Sequence, residues 1–207
     1  MTYTEAPMKK ISIALALTLI AGALAAWQSQ ETKARIPEFP MKALAMAGAT
    51  RANFFISKDG TITRYAVHVG PEAMPEWITK MADEKIGKGE DLEYEMELYP
   101  DGSEVFEVYR KVQGKEMQLS VHADKSVKYV GREMDPKELP GKVGAGLRGV
   151  KGFTAEKAMF KEGPKFAEYH IKGNLGGTPH RVRLSGDGRL LSVQRKLAGE
   201  FELAVQE

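Results

Sequence analysis

The stretch "VRLSGDGRLLSVQRKL", Val182 to Leu197, has a counterpart upstream in "LSVHADKSVKYVGREM", Leu119 to Met134. In both, alternating apolar runs flank a tight turn, and Asp187 falls on Asp124. The segments before them match too: "MELYPDGSEVFEVYRKV" (Met96 to Val112) aligns with "KAMFKEGPKFAEYHIKG" (Lys157 to Gly173), glycine turn on glycine turn. The offsets, 61 and 63 residues, are reconciled by one small deletion. A supersecondary unit therefore occurs twice, and missing it would misassign the whole fold. Aspartate and glycine suit a tight hairpin because their backbones tolerate positive φ. The same chemistry recurs at Asp59-Gly60 inside "NFFISKDGTITRYAVHV" (Asn53 to Val69), so this hairpin reads as the remnant of a third unit. A calcium loop would need more acidic or carbonyl ligands at fixed spacing, and Arg183 and Arg189 stand close by. "SGDG" reads as a turn.

Upstream of each block an apolar residue and a proline precede residues at helical spacing. Met74, Ile78, Met81 and Ala82 form one stripe; Leu139, Val143 and Leu147 form a weaker one. Pro75 and Pro140 suit a first helical turn, where the missing N–H costs nothing. The expected unit is one helix followed by four strands. In the first unit the strands are placed at Asp91 to Tyr99, Ser103 to Val112, Glu116 to Ala123 and Ser126 to Arg132. In the second they are placed at Phe153 to Phe160, Lys165 to Lys172, His180 to Ser185 and Arg189 to Lys196. The fold class is α+β: tandem units of one helix plus a four-stranded antiparallel sheet, preceded by an extra N-terminal β-hairpin.

The beginning of the chain is of a different kind. Met8-Lys9-Lys10 leads into an apolar run from Ile11 to Leu24 and ends on Ala23-Leu24-Ala25, the pattern of a cleaved secretory signal peptide. The run is too short to span a bilayer comfortably. The expected organisation is a signal peptide over 1–25, a linker over 26–40 ("QSQETKARIPEFP" lies within it), an N-terminal segment with its hairpin over 41–70, and units over 71–134 and 135–207. Export predicts a periplasmic or secreted protein with no stable membrane insertion after cleavage. There is no cysteine, so neither a lipid anchor at the cleavage site nor a disulfide is available, and core packing must hold the fold. A net charge of +2 with 28% charged residues carries no nucleic-acid signature.

A signal peptide followed by helix-plus-four-strand units, with strands joined by motifs such as "LSGDGRLLSV" and "FISKDGTITRY", is similar to the PepSY-like superfamily, which includes the β-lactamase-inhibitor-protein fold. The resemblance covers Met74 to Leu197. It implies an exported or membrane-tethered, non-catalytic protein of a kind proposed to bind or inhibit proteases or other envelope proteins. The β-lactamase inhibitor has disulfides and this chain has none. No inhibitory motif matches position by position, so no contact residue is carried over.

Catalytic and cofactor signals fail on context. "GAGLRG", Gly144 to Gly149, satisfies G-x-G-x-x-G, but a proline-started helix precedes it where a strand would be needed to present a pyrophosphate. Glycines inside a helix instead suggest close packing or a break. His170 and His180 flank one turn, but the hydrophobic register puts His170 on the outer face and His180 on the inner one. Two histidines are too few for a closed zinc site. No G-x-S-x-G elbow or Cys–His arrangement is present. No catalytic residue, metal or cofactor is expected.

Alternation then assigns the faces. Leu92, Tyr94, Met96 and Leu98 are expected to face the core, with Glu93, Glu95 and Glu97 pointing to solvent. In the second unit Val182, Leu184, Leu191 and Val193 face the core while Arg181 and Arg183 face out. The expected binding surface is this open sheet face, carrying Glu93, Glu95, Glu97, Glu107 and Tyr109 on one half and Glu168, His170, Arg181 and Arg183 on the other. Its expected partner is an envelope protein or a peptide, and the oligomeric state stays open. The alternative is a periplasmic carrier of a lipid or other apolar ligand held between sheet and helices.

Overall fold

The computed structural model describes residue 49 and residues 51–198; the signal peptide and linker expected over 1–40 lie outside the described residues. The chain order is β1 (Arg51–Ile56), β2 (Ile62–Val69), α1 (Glu76–Lys85), β3 (Glu90–Leu98), β4 (Glu104–Val112), β5 (Lys115–His122), β6 (Val127–Met134), α2 (Gly141–Arg148), β7 (Phe153–Gly163), β8 (Phe166–Leu175), β9 (Thr178–Ser185) and β10 (Leu190–Arg195). Two tandem units, α1 with β3–β6 and α2 with β7–β10, thus follow an N-terminal hairpin. Every strand pair is antiparallel, and strand order in the sheet is chain order. The units are joined edge to edge, β6 pairing with β7 from Val130↔Glu162 to Met134↔Ala158, so one ten-stranded sheet runs through both.

Four hairpins share one turn. Gly60, Gly102 and Gly188 have φ of 85°, 82° and 87°, and Lys125 occupies the same place at φ 68°. In each, the residue at that position donates its N–H three residues back, as Gly188 does to Ser185 and Lys125 to His122 (both 2.9 Å). The aspartate before it fixes the loop: Asp101 accepts from the Ser103 amide and Asp124 from the Ser126 amide, at 2.9 Å each. This is the side-chain mimic of a backbone turn that favours aspartate here.

Both helices lie on one face of the sheet. Ile78 and Ala82 of α1 are fully buried against Val67, Tyr94, Met96, Phe106, Val108, Leu119 and Val121. Val143 of α2 is fully buried with Ala158, Tyr169, Ile171, Val182 and Leu184. Each such aliphatic side chain contributes about 2 kcal/mol by leaving water. Arg110, also on this face and 2% exposed, ties α1 down by donating to Asp83 (2.5 Å), Asp91 (2.5 Å) and the Gly87 carbonyl (2.9 Å). Pro75 and Pro140 stand at the caps, one residue outside the helices.

Gly144 and Gly146 of "GAGLRG" lie in α2 and Gly149 stands at its C-cap, and Gly146 is there for packing. A Cβ on Gly146 would sit 2.0 Å from the Gly188 carbonyl oxygen, and one on Gly188 would sit 2.2 Å from the Lys142 carbonyl. Thus α2 is seated on the β9–β10 turn. Leu92 and Leu191 depart from the expected core faces. A bulge between Asp91 and Glu93 leaves Leu92 48% exposed, and another between Leu190 and Ser192 displaces Leu191. Val193 keeps its register opposite Val182, but β10 is the last strand and Val193 remains 40% exposed.

Candidate functional site

The face opposite the helices collects Arg64 and His68 from β2, Glu93, Glu95 and Glu97 from β3, Glu107 and Tyr109 from β4, and Gln118 and Ser120 from β5. Tyr129 and Gly131 of β6, Lys161 of β7, Glu168 and His170 of β8 and Arg181 and Arg183 of β9 share it, as the strand register dictates. The expectation that this face is open to water is corrected for its centre: Glu95 is 6% exposed, Glu97 2% and Glu107 1%.

The reason is curvature. Arg181 on β9 acts electrostatically on Tyr109 of β4 and on Lys161, and Glu97 and Arg64 act on Lys161 of β7. Lys196, just past β10, acts on His68 of β2. In a flat sheet β4 and β9 would lie about 24 Å apart, far beyond a Debye length. Lys128, at the start of β6, donates to Glu97 of β3 at 2.7 Å across three strand spacings, so the sheet curls with this face inward. Register shifts in five strand pairs bend the ladder. Gly131 relieves the crowding inside, since a Cβ there would meet the Gln118 Cβ at 3.0 Å.

The centre is a dense hydrogen-bond network in which Arg64 Nε is left without a partner among the described residues. Glu107 accepts from Tyr129 (2.5 Å), Gln118 (2.6 Å) and Tyr109 (3.0 Å), and Lys161 donates to the Tyr129 hydroxyl (2.6 Å). Glu97 accepts from Lys128 (2.7 Å), Tyr99 (2.8 Å) and Arg64 (2.9 Å). Glu95 meets His68 at 3.2 Å, and His68 also contacts Glu93 and Asn53. Burial works against ionising Glu107, but Lys161, the Tyr129 hydroxyl and Lys128 outweigh it and hold its carboxyl below the ordinary value. Glu95 lacks such cover. Burial, then Glu107 and Glu97, push its pKa up to about 8. Burial likewise lowers Lys161 to about 8, against the pull of Glu107.

A second cluster stands on β8 and β9. Glu168 accepts from His170 (3.0 Å) and from Arg183 (2.7 and 3.1 Å). The His170 bond, then Arg183, outweigh burial and bring Glu168 down to about 2. Burial brings His170 down to about 3, so a neutral imidazole makes this bond. His170 and His180 are not brought together: His170 pairs with Arg183 and His180 with Gly173.

The oxygens of Glu95, Glu97 and Glu107 lie within 4.8 Å of one another, close enough to surround a cation. Arg64 and Lys128 pair with Glu97, Lys161 and Lys128 offset Glu107, and Glu95 keeps its proton up to about pH 8, which leaves little electrostatic driving force for a metal. The arrangement is chemically a self-compensated core with charged edges. At those edges Arg51 bonds Glu93 at 2.7 Å with side chains 56% and 36% exposed, and Arg183 is 35% exposed.

Sequence reasoning found the acidic strand and the β9 arginines but missed Arg64, Tyr99, Gln118, Lys128, Tyr129 and Lys161 as members. Their signal was the presence of three tyrosines on the charged face, since a wet face gains little from buried aromatic area. No protein-family model matches the chain, and no curated protein matches it significantly. Among solved structures it is similar to a BLIP-like protein from Bacteroides fragilis, with 15% identity over 63% of this chain and 93% of that one and a TM-score of 0.44.

Proposed function

We propose that this chain is an exported, non-enzymatic binding protein that recognises another envelope protein or a peptide through the rim of its curled polar face. The observation that supports this reading is the division of that face into a locked centre and a partly exposed, charged rim. Glu93, with Arg51, marks the acidic strand's side; Arg181 and Arg183, with His170 beneath, mark the basic side. Tyr109, Glu95 and Glu97 belong to the centre behind it, Tyr109 bonded to Glu107, Glu95 to His68 and Glu97 to Arg64 and Lys128. Charges fixed on rigid strands lose little entropy on binding, and opposite signs at two sides orient a partner as it approaches. Inhibition of a protease, or sensing, would be exercised from the same surface. No helix among the described residues is long and apolar enough to cross a membrane. A carrier site between helices and sheet has no support, because Ile78, Ala82 and Val143 fill that interface at 0% exposure.

Capture from an envelope extract tests the reading. Wild type should retain a defined partner that the rim reversals Glu93→Lys and Arg183→Glu release. Capture of nothing, or of the same partner by both reversals, overturns it. Glu95→Lys is unsuitable because it places a cation in the buried centre.

A further inference from the structure

We propose that β10 is a docking edge for a strand from another protein, and that the strand it takes carries alternating apolar residues flanked by acidic ones. The inference rests on the reading of the chain as a binding protein, but on a different surface.

Among the described residues β10 pairs with β9 alone. The Lys196 amide donates to the Pro179 carbonyl at 2.9 Å. Successive amides in an antiparallel strand point to opposite sides, so Gln194 faces β9 as Lys196 does, while the Val193 and Arg195 amides face the open edge. An edge with free donors is a template for another strand unless charge, proline or a cover blocks it. Here no proline lies between Arg189 and Ala198; the charges, Arg189, Arg195 and Lys196, stand only at its ends, and the bulge between Leu190 and Ser192 precedes the regular stretch Ser192 to Arg195.

The edge also carries the largest concentration of exposed apolar side chains in the structure. Leu190, Leu191, Val193 and Leu197 are 48%, 36%, 40% and 73% exposed, and of the remaining large apolar residues only Ile56 and Leu92 are comparably open among the described residues. Val193 lies opposite Val182 and Leu190 opposite Leu184, both fully buried, so an added strand would extend the second unit's core outward by one row.

Charge selects the occupant. Arg189 brackets the apolar centre at one end, and Arg195 and Lys196 bracket it at the other. A second copy pairing antiparallel would set these three cations against the same three, which is unfavourable directly across a ladder. An acidic-ended strand meets opposite charge at both ends. Main-chain bonds then supply affinity and the alternate apolar side chains supply register, as in strand addition generally.

The test uses the full chain and two fluorescent peptides with leucine and valine at alternate central positions, one ending in paired glutamates and the other in paired lysines. Binding is read by anisotropy at low and physiological salt. The glutamate peptide should bind about tenfold more tightly or better, with salt weakening it. Val193→Pro removes an edge donor without touching the β9 ladder and should abolish binding while the native circular dichroism is kept. The double reversal Arg189→Glu with Arg195→Glu should switch the preference to the lysine peptide, a readout that does not depend on the proline variant folding. Equal binding of both peptides, no binding of either, an unchanged preference in the double reversal, or a β10-dependent homodimer that excludes peptide would each overturn the proposal. Peptide failure with rim-dependent capture intact refutes the edge alone; rim-insensitive capture with peptide binding intact refutes the rim alone.

Discussion

Replacing Glu95 by glutamine should make the protein more stable, by an amount that grows as pH rises from about 4.5 to 8. The Glu95 side chain is buried beside two other carboxylates, and its carboxyl keeps its proton up to about pH 8 against an ordinary value of 4.5. Between those values the folded protein holds a proton that the unfolded chain releases. Stability from this group is therefore fully present below about pH 4.5 and is lost as pH rises through 8. At 1.36 kcal/mol per pH unit the ceiling on that loss is about 5 kcal/mol. Relaxation and water entry around a coupled group reduce it, and about 2 kcal/mol is the expected effect. Glutamine keeps the shape and stays neutral, so it removes the loss. Urea unfolding followed by tryptophan fluorescence suits the measurement, because Trp77 packs edge-on against Phe106 with ring centroids 5.8 Å apart. Wild type and Glu95→Gln should have similar stability near pH 5, and the variant should lead by about 2 kcal/mol near pH 8.5. Parallel curves, or a variant that is weaker at pH 8.5, would refute the reasoning.

Three further outcomes follow from other parts of the structure. His170 titrates at about 3 when folded and near 6.5 when unfolded, so wild type should lose stability as pH falls from 6.5 toward 3, and His170→Gln should flatten that loss in acid-unfolding curves. Lys125 holds φ 68° where three sister turns have glycine, so Lys125→Gly should raise the urea midpoint by the equivalent of about 0.5–1 kcal/mol, net of the entropy glycine adds to the unfolded chain and of the contact with Trp77. Gly146→Ala puts a methyl against the Gly188 carbonyl and should cost about 2 kcal/mol in the same assay; a neutral result would mean that α2 is not seated on that turn.

The strand positions were legible because each is bounded by turn residues with strong local preferences. Asp59, Asp101, Asp124 and Asp187 mark hairpins wherever they fall, and the expected strands agree with the observed ones to within a few residues at most ends. The helices were legible from Met74, Ile78, Met81 and Ala82 because helical spacing has a distinct period. Leu92 and Leu191 were misassigned because a bulge inserts one residue and breaks period-2 counting without leaving a mark in the pattern. The candidate site was half legible: Glu93, Glu95, Glu97, Arg181 and Arg183 were placed on the right face, and its burial was not foreseen.

By itself the sequence determined the order of elements, the turn chemistry and the separation of each strand into two faces, because these depend on residues within a few positions of one another, and it determined the repeat because the same local patterns recur 61 to 63 residues apart. Only the tertiary structure decided which charged residues meet and how deeply. Alternation distinguishes two faces but contains nothing about the curvature of the sheet. Whether Glu107 lies in water or against Lys161 depends on bends accumulated across several strands, and on pairings between residues more than 50 positions apart.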